Sequence, residues 1–429
     1  MGEKKERIVL AGAVRTPMGS FGGGLKDVPA ERLMAVCFEE TLKRTGLPKE
    51  KIDEVIAGNV CQPSEAVNIA RVAALIAGIP SDIPAFSVQR NCASGIQSIT
   101  SAIQAIRCDD GKIFLAGGTE NMSKVPYVVK GARWGYKLQH FYFTDGLWEG
   151  LTDPVVGQIM GRTVENVVKK YEISREEQDE FAVRSHQKAF RAKREGRYKD
   201  QILPIVIQNV TNVGEKSLVN EKIIAEDENI NPGLNKQMAA LQPGIFMDPD
   251  LLKAKDPKAK YEKGKIILET NVHADGTITP KNSCPITDGA ASMLVMPEST
   301  AKELGIEPEA YVVSYAYAAC DPAYMGEGPI HASPKALKRA GLDMRDIDFV
   351  ELNEAFAGQS IPCQRILEIP DEKLNVWGGA IALGHPVGAT GTILTVKMIH
   401  ILKHLEGKYG LITMCVGGGQ GGAMIIEKA

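Results

Sequence analysis

The sequence predicts an α/β fold made of two related halves with an inserted subdomain between them, and three observations lead to it. The chain is 429 residues long, more than one hydrophobic core usually organises. A helix-loop-strand pattern recurs at a constant spacing of 295 positions. Short apolar runs alternate with helical periodicity and stop at glycine turns, the pattern of sheets covered by helices.

In the first copy of the repeat, Leu42-Lys43-Arg44-Thr45-Gly46-Leu47 leads to Ile52-Asp53 and Val55; in the second, Leu337-Lys338-Arg339-Ala340-Gly341-Leu342 leads to Ile347-Asp348 and Val350. Each reads as a helix closed by a glycine in the left-handed C-cap, a short loop, and a strand. Each copy continues with a strand, a glycine-containing turn and a long apolar helix, at residues 85–88, 91–95 and 96–106 and again at 374–376, 378–391 and 392–401. Each closes with an apolar strand running into glycines, residues 113–118 and 411–419. The alternation predicts mostly parallel sheets covered on both faces, with functional residues at strand ends and helix starts. Between the halves the repeat is lost. Here an amphipathic helix is expected over Gly161 to Tyr171, and a charged helix over Ser174 to Arg194 whose start is fixed by a Ser174/Glu177 capping box. The stretch from Asp248 to Lys265, rich in Lys and Asp, reads as a solvated excursion. The resulting division is an N-terminal half of residues 1–120 with 271–297, an inserted subdomain of residues 121–270, and a C-terminal half of residues 298–429.

Composition excludes several functional classes. Hydrophobic residues make up 44% and charged residues 24% of the chain, with a formal charge of -3. That balance is far from disorder, and it provides no global field for nucleic acid or an anionic membrane. No apolar run reaches the ~18 residues of a membrane span, and residues 1–9 do not form a secretory signal. The eight cysteines are scattered without CxxC pairs or finger spacing, so no metal site is expected and the chain reads as a reduced, cytoplasmic protein.

Four segments carry chemistry. In Asn91-Cys92-Ala93-Ser94-Gly95 a cysteine stands at a strand-to-helix turn. Placement on the first turn of a helix is expected to lower its pKa and favour the nucleophilic thiolate, and the small neighbours leave room for a ligand where a structural cysteine would be packed. In the second segment, residues 378–391, His385 sits amid glycines that let backbone approach a substrate, which suits a base and hydrogen-bond donor. His385-Pro386 falls close to 295 positions after Cys92, so pseudo-twofold symmetry should bring the two turns face to face. The third segment runs from Met414 through Cys415 and Gly417 to Gly422. It lacks the Lys-Ser/Thr of a P-loop and the long helix of a dinucleotide site, and it suits a proton donor or acceptor working on carbon, Cys415, beside oxyanion-stabilising N–H groups. In the fourth, Asn353-Glu354-Ala355-Phe356 follows a strand, and Asn353 could be no more than an N-cap.

Taken in order, these segments closely resemble those of the thiolase family over nearly the whole chain. Further matches are GAVRTPMG from Gly12 to Gly19, Ala116 to Ser123, MGEGPI from Met325 to Ile330 and, most specific, GGAIALGHP from Gly378 to Pro386. The resemblance implies a layered αβαβα arrangement and a two-step acyl transfer between acyl-CoA and CoA, with CoA as substrate and no permanently bound cofactor. Cys92 would take the acyl group and His385 its proton. Asn353, through a held water, would form with His385 the oxyanion hole for the enolate of acetyl-CoA. Cys415 would exchange the α-proton, and the N–H groups of Cys92 and Gly417 would form a second hole. Met160, Gly384 and Cys284 would lie along the substrate and CoA, and the assembly would be a homodimer or homotetramer. Three positions depart from the family pattern: Trp377 replaces a small or polar residue, Ile159 a histidine frequent in short-chain enzymes, and Cys284 a serine that touches the pantetheine arm. Cleavage of acetoacetyl-CoA with CoA to two acetyl-CoA is the expected reaction, with longer 3-ketoacyl-CoAs as the alternative. A carrier-protein ketosynthase shares the architecture but usually lacks the second cysteine. A non-catalytic scaffold is disfavoured because no catalytic position is lost.

Overall fold

The structure, a computed structural model, describes residues 6–213, 216–242, 244, 258–262, 265–269 and 276–429. Nine strands form one path: β1 (Ile8–Arg15), β2 (Glu54–Gly58), β3 (Ala85–Val88), β4 (Phe114–Asn121), β5 (Thr287–Pro297), β6 (Ala310–Ala319), β7 (Phe349–Leu352), β8 (Tyr409–Val416) and β9 (Gln420–Lys428). Their order is β7-β8-β9-β6-β1-β5-β4-β2-β3, with the two-residue strand Gly19–Ser20 attached to β5. The two halves of the path meet where β1 pairs β6 over only three residue pairs, Ile8 with Val312, Val9 with Tyr311 and Leu10 with Ala310.

Strand alternation sends side chains to opposite faces, and each half-sheet therefore serves two cores. In the first half Val55 and Ala57 face an outer core shared with helices α1 (Ala30–Thr45) and α2 (Ile69–Ile76), whereas Ile56 faces a central one. In the second half Leu411 and Ile425 face outward toward α6 (Gly328–Ala340) and α7 (Ala357–Ile366), while Ile412 and Met424 face the same central core. That central layer holds α3 (Ser94–Arg107) and α8 (Thr390–His404), and α8 is buried from Thr390 through Leu402. A helix apolar nearly all round belongs in such a place. The five layers follow.

The duplication is visible in the element limits. Helices α1 and α6 end 295 positions apart, at Thr45 and Ala340, each capped by a left-handed glycine, Gly46 at φ 67° and Gly341 at φ 69°. Strands β4 and β8 likewise begin 295 positions apart. In the intervening region α4 (Met160–Lys170) and α5 (Arg175–Arg194) pack against the outer core of the second half through Val164, Val168, Phe181 and Ala182. The Ser174/Glu177 capping box starts α5 as expected.

Two expectations fail. The sheet is not mostly parallel: only β2 with β3, β2 with β4, and β7 with β8 are parallel, and the other five pairings along the path are antiparallel. The βαβ units do give parallel neighbours. However, β9 returns directly from β8 through a three-glycine hairpin, and β5 enters between β4 and β1 from the far side of the inserted region. Residues 374–376 form no strand either; Leu374 makes a single bridge to Val350, and the chain then turns at Asn375, φ 44°. The Asp248–Lys265 stretch lies mostly outside the described residues, as does the 270/271 limit of the inserted region; of that stretch, Lys258–Glu262 pairs with Lys265–Glu269 as a hairpin.

Candidate active site

The starts of α3 and α8 approach until only glycine fits between them. A Cβ on Gly95 would lie 2.6 Å from the Thr392 nitrogen, and one on Gly391 would lie 2.4 Å from the Ile96 nitrogen. This contact between the halves brings the turn bearing Cys92 against the loop bearing His385.

Cys92 stands at a sharp turn between β3 and α3. Asn91 takes the left-handed conformation, φ 43°, and its side-chain nitrogen donates to the Gly417 carbonyl at 2.8 Å. Ser94 closes the turn: its hydroxyl donates to the Asn91 carbonyl (2.7 Å) and accepts from the Arg90 N–H (2.9 Å). Asn tolerates positive φ better than other side chains, which accounts for Asn91 at this position. Helix α3 begins at Ser94 with Ala93 as its cap, so Cys92 precedes the first turn rather than lying on it.

The expectation of a lowered thiol pKa is overturned. Burial raises the Cys92 pKa; the N–H groups of Gly417 and of Cys92 itself pull it down, without compensating, and the Glu120 carboxylate raises it further. The magnitudes are consistent with the sign: a helix end contributes about 0.3–1 kcal/mol, under one pKa unit, which even partial desolvation can exceed. At rest the Cys92 side chain is a neutral thiol.

His385 is oriented by its own loop. Its Nδ1 lies 2.6 Å from the Thr390 hydroxyl oxygen, and that hydroxyl donates to the Pro386 carbonyl at 2.9 Å. The threonine oxygen is thus left to accept, Nδ1 carries the ring proton, and Nε2 is the free base. Burial lowers the pKa of this imidazole to about 4, so it is neutral near pH 7. Nε2 lies 3.4 Å from the Asn353 side-chain nitrogen, and Asn353 Oδ1 is buried with no hydrogen-bond partner among the described residues. Asn353 is not an N-cap: α7 starts at Ala357, capped by Phe356. Gly384, at φ 118°, lets the loop pass Thr287, whose hydroxyl oxygen a Cβ would meet at 2.4 Å; that hydroxyl accepts from the His385 N–H at 3.2 Å.

Cys415 is the penultimate residue of β8 and is buried. Its pKa is raised well above the ordinary thiol range, first by burial and then by the neighbouring Cys92. The glycines beyond it form the β8–β9 hairpin, with Gly418 at φ 84° and Gly419 at φ 75°. The cavity between these elements has a volume of about 430 Å³; Cys92, His385, Cys415, Cys284, Met160 and Ile159 all border it. Gly417 presents its N–H to the Cys92 sulfur; Gly417, Asn353 and Gly384 do not border the cavity. A larger surface groove, about 740 Å³, is lined by charged residues such as Asp53, Arg107 and Glu303 and holds neither thiol nor imidazole.

Of the three departures, Ile159 and Cys284 border the cavity and Trp377 does not. Trp377 is buried edge-on against Tyr198 (ring centroids 6.4 Å apart) and His404 (5.7 Å). The Cys284 thiol is shifted up by burial and by Cys92. Sequence reading missed Asn91, Thr390, Thr287 and Glu120. Glu120 stands 295 positions before Cys415 and is its counterpart in the first half; its buried carboxylate accepts from the N–H groups of Val60, Cys61 and Gly388 and from Asn59, with a pKa pushed up to about 7. The constant spacing was the available signal for Glu120. Among the described residues no group of three or more His, Cys, Asp or Glu is arranged to hold a metal ion, and no helix is long and apolar enough to cross a membrane.

A thiol at a sharp turn, a neutral imidazole backed by an amide, and a second thiol around one apolar cavity could carry out covalent acyl transfer at carbon. Comparison with known proteins agrees. The profile of the thiolase N-terminal domain matches residues 8–248 and that of the thiolase C-terminal domain residues 306–428. A probable acetyl-CoA acyltransferase of Staphylococcus aureus (strain MSSA476) is 44% identical over 424 residues, 98% of this chain and 99% of that protein. An acetyl-CoA acetyltransferase of Syntrophomonas wolfei is 42% identical, covering 98% of each chain. Among solved structures, the Bacillus anthracis acetyl-CoA acetyltransferase superposes with a TM-score of 0.88 at 38% identity, over 99% of both chains. Human mitochondrial 3-ketoacyl-CoA thiolase in complex with CoA also superposes at 0.88, with 36% identity, over 99% of this chain and 98% of that one. The chain belongs to the thiolase family. It is accordingly an acyltransferase.

Proposed function

We propose that the chain cleaves 3-ketoacyl-CoA with CoA, and runs the reverse condensation, through an acyl thioester on Cys92. The observation that carries this reading is the meeting of Cys92, Cys415 and the unprotonated Nε2 of His385 at one cavity. The Cys92 proton passes to His385 Nε2, and the thiolate attacks the C3 carbonyl carbon. Its oxyanion is received by the N–H groups of Cys92 and Gly417. The C2–C3 bond breaks, its electron pair forms the enolate of acetyl-CoA, and Cys415 protonates the enolate carbon. The enolate oxygen is held by His385, now carrying a proton on Nε2, and by Asn353 through a water. Transfer of that proton from His385 to Cys415 restores both groups. A second CoA thiol then gives its proton to His385 and attacks the acyl-Cys92 thioester, and the departing Cys92 thiolate recovers the proton. The raised thiol pKa values suit this sequence, because each thiol must be a proton donor before it is anything else.

A second reading concerns chain length. Acetoacetyl-CoA is the smallest substrate for this chemistry, but Leu147, Trp148, Leu151, Ile159, Ile286 and Phe356 give the cavity an apolar lining that favours longer acyl groups. At ~0.8 kcal/mol per buried methylene, kcat/KM should rise about fourfold per added carbon until the lining is filled. Steady-state thiolysis of a C4 to C10 series of 3-ketoacyl-CoAs tests both points. A profile that is flat or falling beyond C4 removes the longer-chain reading, and no thiolysis of any member removes the function.

The same reading assigns no resident cofactor, a role in fatty-acid metabolism and a reduced, cytoplasmic setting, supported by eight cysteines that are all free thiols. It also assigns a homodimer or homotetramer. The support is the open edge of β3, where Phe86 is exposed, and a run of exposed aromatics, Tyr127, Trp134, Phe141, Tyr142 and Phe143. Light scattering at micromolar concentration is expected to give two or four chain masses; a single chain mass removes this assignment.

A further inference from the structure

His385 borders the cavity and Asn353 stands against it, but they come from different elements, the loop following residue 378 and the end of β7, and these two elements are tied together by buried polar groups. Lys397, on the central helix α8, is fully buried; its Nζ donates to Glu351 Oε2 at 2.9 Å and to the Gly378 carbonyl. Glu351 lies two residues before Asn353, and Gly378 opens the segment that ends in His385. Glu354, next to Asn353, accepts from the Ser185 hydroxyl (2.6 Å), from Asn375 Nδ2 (2.7 Å) and from the Ile381 N–H (3.2 Å). The Asn375 side chain also bonds both backbone groups of Leu352, each at 2.9 Å. Stability does not account for the ion pair. Desolvating two charges offsets much of their attraction, and well-packed apolar residues of similar volume often serve a fold as well or better. The Lys397–Glu351 pair is also imperfectly satisfied, since Glu351 Oε1 is buried without a partner among the described residues. What the pair does supply is direction: one ammonium joins β7 to the first residue of the histidine segment.

We propose that Lys397 and Glu351 are positioning residues that fix the Asn353–His385 pair in register for holding the enolate. The inference rests on the proposed role of that pair and adds to it two residues that touch no substrate. It predicts damage greatest in the enolate half of the reaction, which needs Asn353 and His385 in register together; the acyl-transfer half needs His385 only as a proton acceptor, and Cys92 is held by Asn91, Ser94 and Gly417.

The test is the double variant Lys397→Met/Glu351→Leu, which removes both charges and keeps the volume. Four measurements are made on it: thermal unfolding, the rate of Cys92 alkylation by iodoacetamide at pH 8.5, exchange of the acetyl-CoA methyl protons for deuterium followed by NMR, and steady-state thiolysis. The expected result is unfolding at or above the wild-type temperature, alkylation within twofold of wild type, exchange slowed at least tenfold, and kcat lowered with KM unchanged. Exchange within twofold of wild type in the folded double variant overturns the inference. Lys397→Gln, which keeps a donor for the Gly378 carbonyl without the ion pair, serves as a second probe. It should retain more exchange than Lys397→Met, and equal rates in these two variants overturn the inference even if the double variant fails to fold. Wild-type enzyme that exchanges no methyl protons removes the underlying role of Asn353 and His385 instead, and the inference with it.

Discussion

Replacing Cys92 with alanine is expected to lower thiolysis by about 10⁴-fold or more, the scale of losing the nucleophile of a covalent mechanism, while deuterium exchange into acetyl-CoA survives. The asymmetry follows from the geometry. In the proposed reaction acyl transfer requires the Cys92 sulfur, but enolate formation uses Cys415, His385 and Asn353, which owe their places to β8, the residue 378–391 segment and β7. Alanine removes the sulfur without filling the cavity and leaves Ala93 and Ser94 to start α3 unchanged. Turnover with 3-ketoacyl-CoA and exchange with acetyl-CoA would be measured on the same preparation. Retained turnover would show that the acyl group is carried elsewhere; joint loss of turnover and exchange in a folded variant would show that the two half-reactions do not separate as proposed.

Cys415→Ala should produce the converse. Methyl-proton exchange and overall turnover are expected to fall by about 10³-fold or more, the upper part of the range for removing a general acid–base group, while Cys92 still takes an acetyl group from acetyl-CoA. Cys415 is a neutral thiol well above neutral pH, so it arrives at the enolate carrying the proton that carbon needs. The imidazole does not replace it, since His385 Nδ1 is committed to Thr390 and its Nε2 proton holds the enolate oxygen in the proposed reaction. Mass spectrometry of the Cys92 peptide after incubation with acetyl-CoA reads the surviving half-reaction. Exchange at the wild-type rate would remove Cys415 from the chemistry, and failure to acetylate Cys92 would mean that the variant had disturbed the nucleophile's turn.

Much of this site was legible without coordinates, for reasons that differ from residue to residue. Gly46 and Gly341 announce the duplication because only a left-handed cap ends both helices in that way. Cys92 and His385 could be paired because a twofold repeat makes corresponding turns face one another, and the Gly95–Gly391 contact is the physical form of that pairing. Asn353 was harder. An asparagine after a strand suits a cap as well as a catalytic amide, and only the start of α7 at Ala357, with the 3.4 Å approach to His385, separates the two. Trp377 departs from the family pattern beside the Gly-Gly pair, yet its ring packs on Tyr198 and His404 and does not border the cavity.

The sequence by itself determined the two-half α/β plan, the approximate helix limits, and the choice of Cys92, His385 and Cys415 as candidate site residues, because each is written in local terms: a periodicity, a capping residue, or a reactive side chain at a turn. Tertiary structure alone decided the antiparallel course of β5 and β9, the proton on Nδ1 of His385, the raised pKa of Cys92 and the Lys397–Glu351 link. Each of these depends on how far water is excluded or on which distant backbone lies alongside. Desolvation and long-range pairing are properties of the packed chain and leave no local pattern to read.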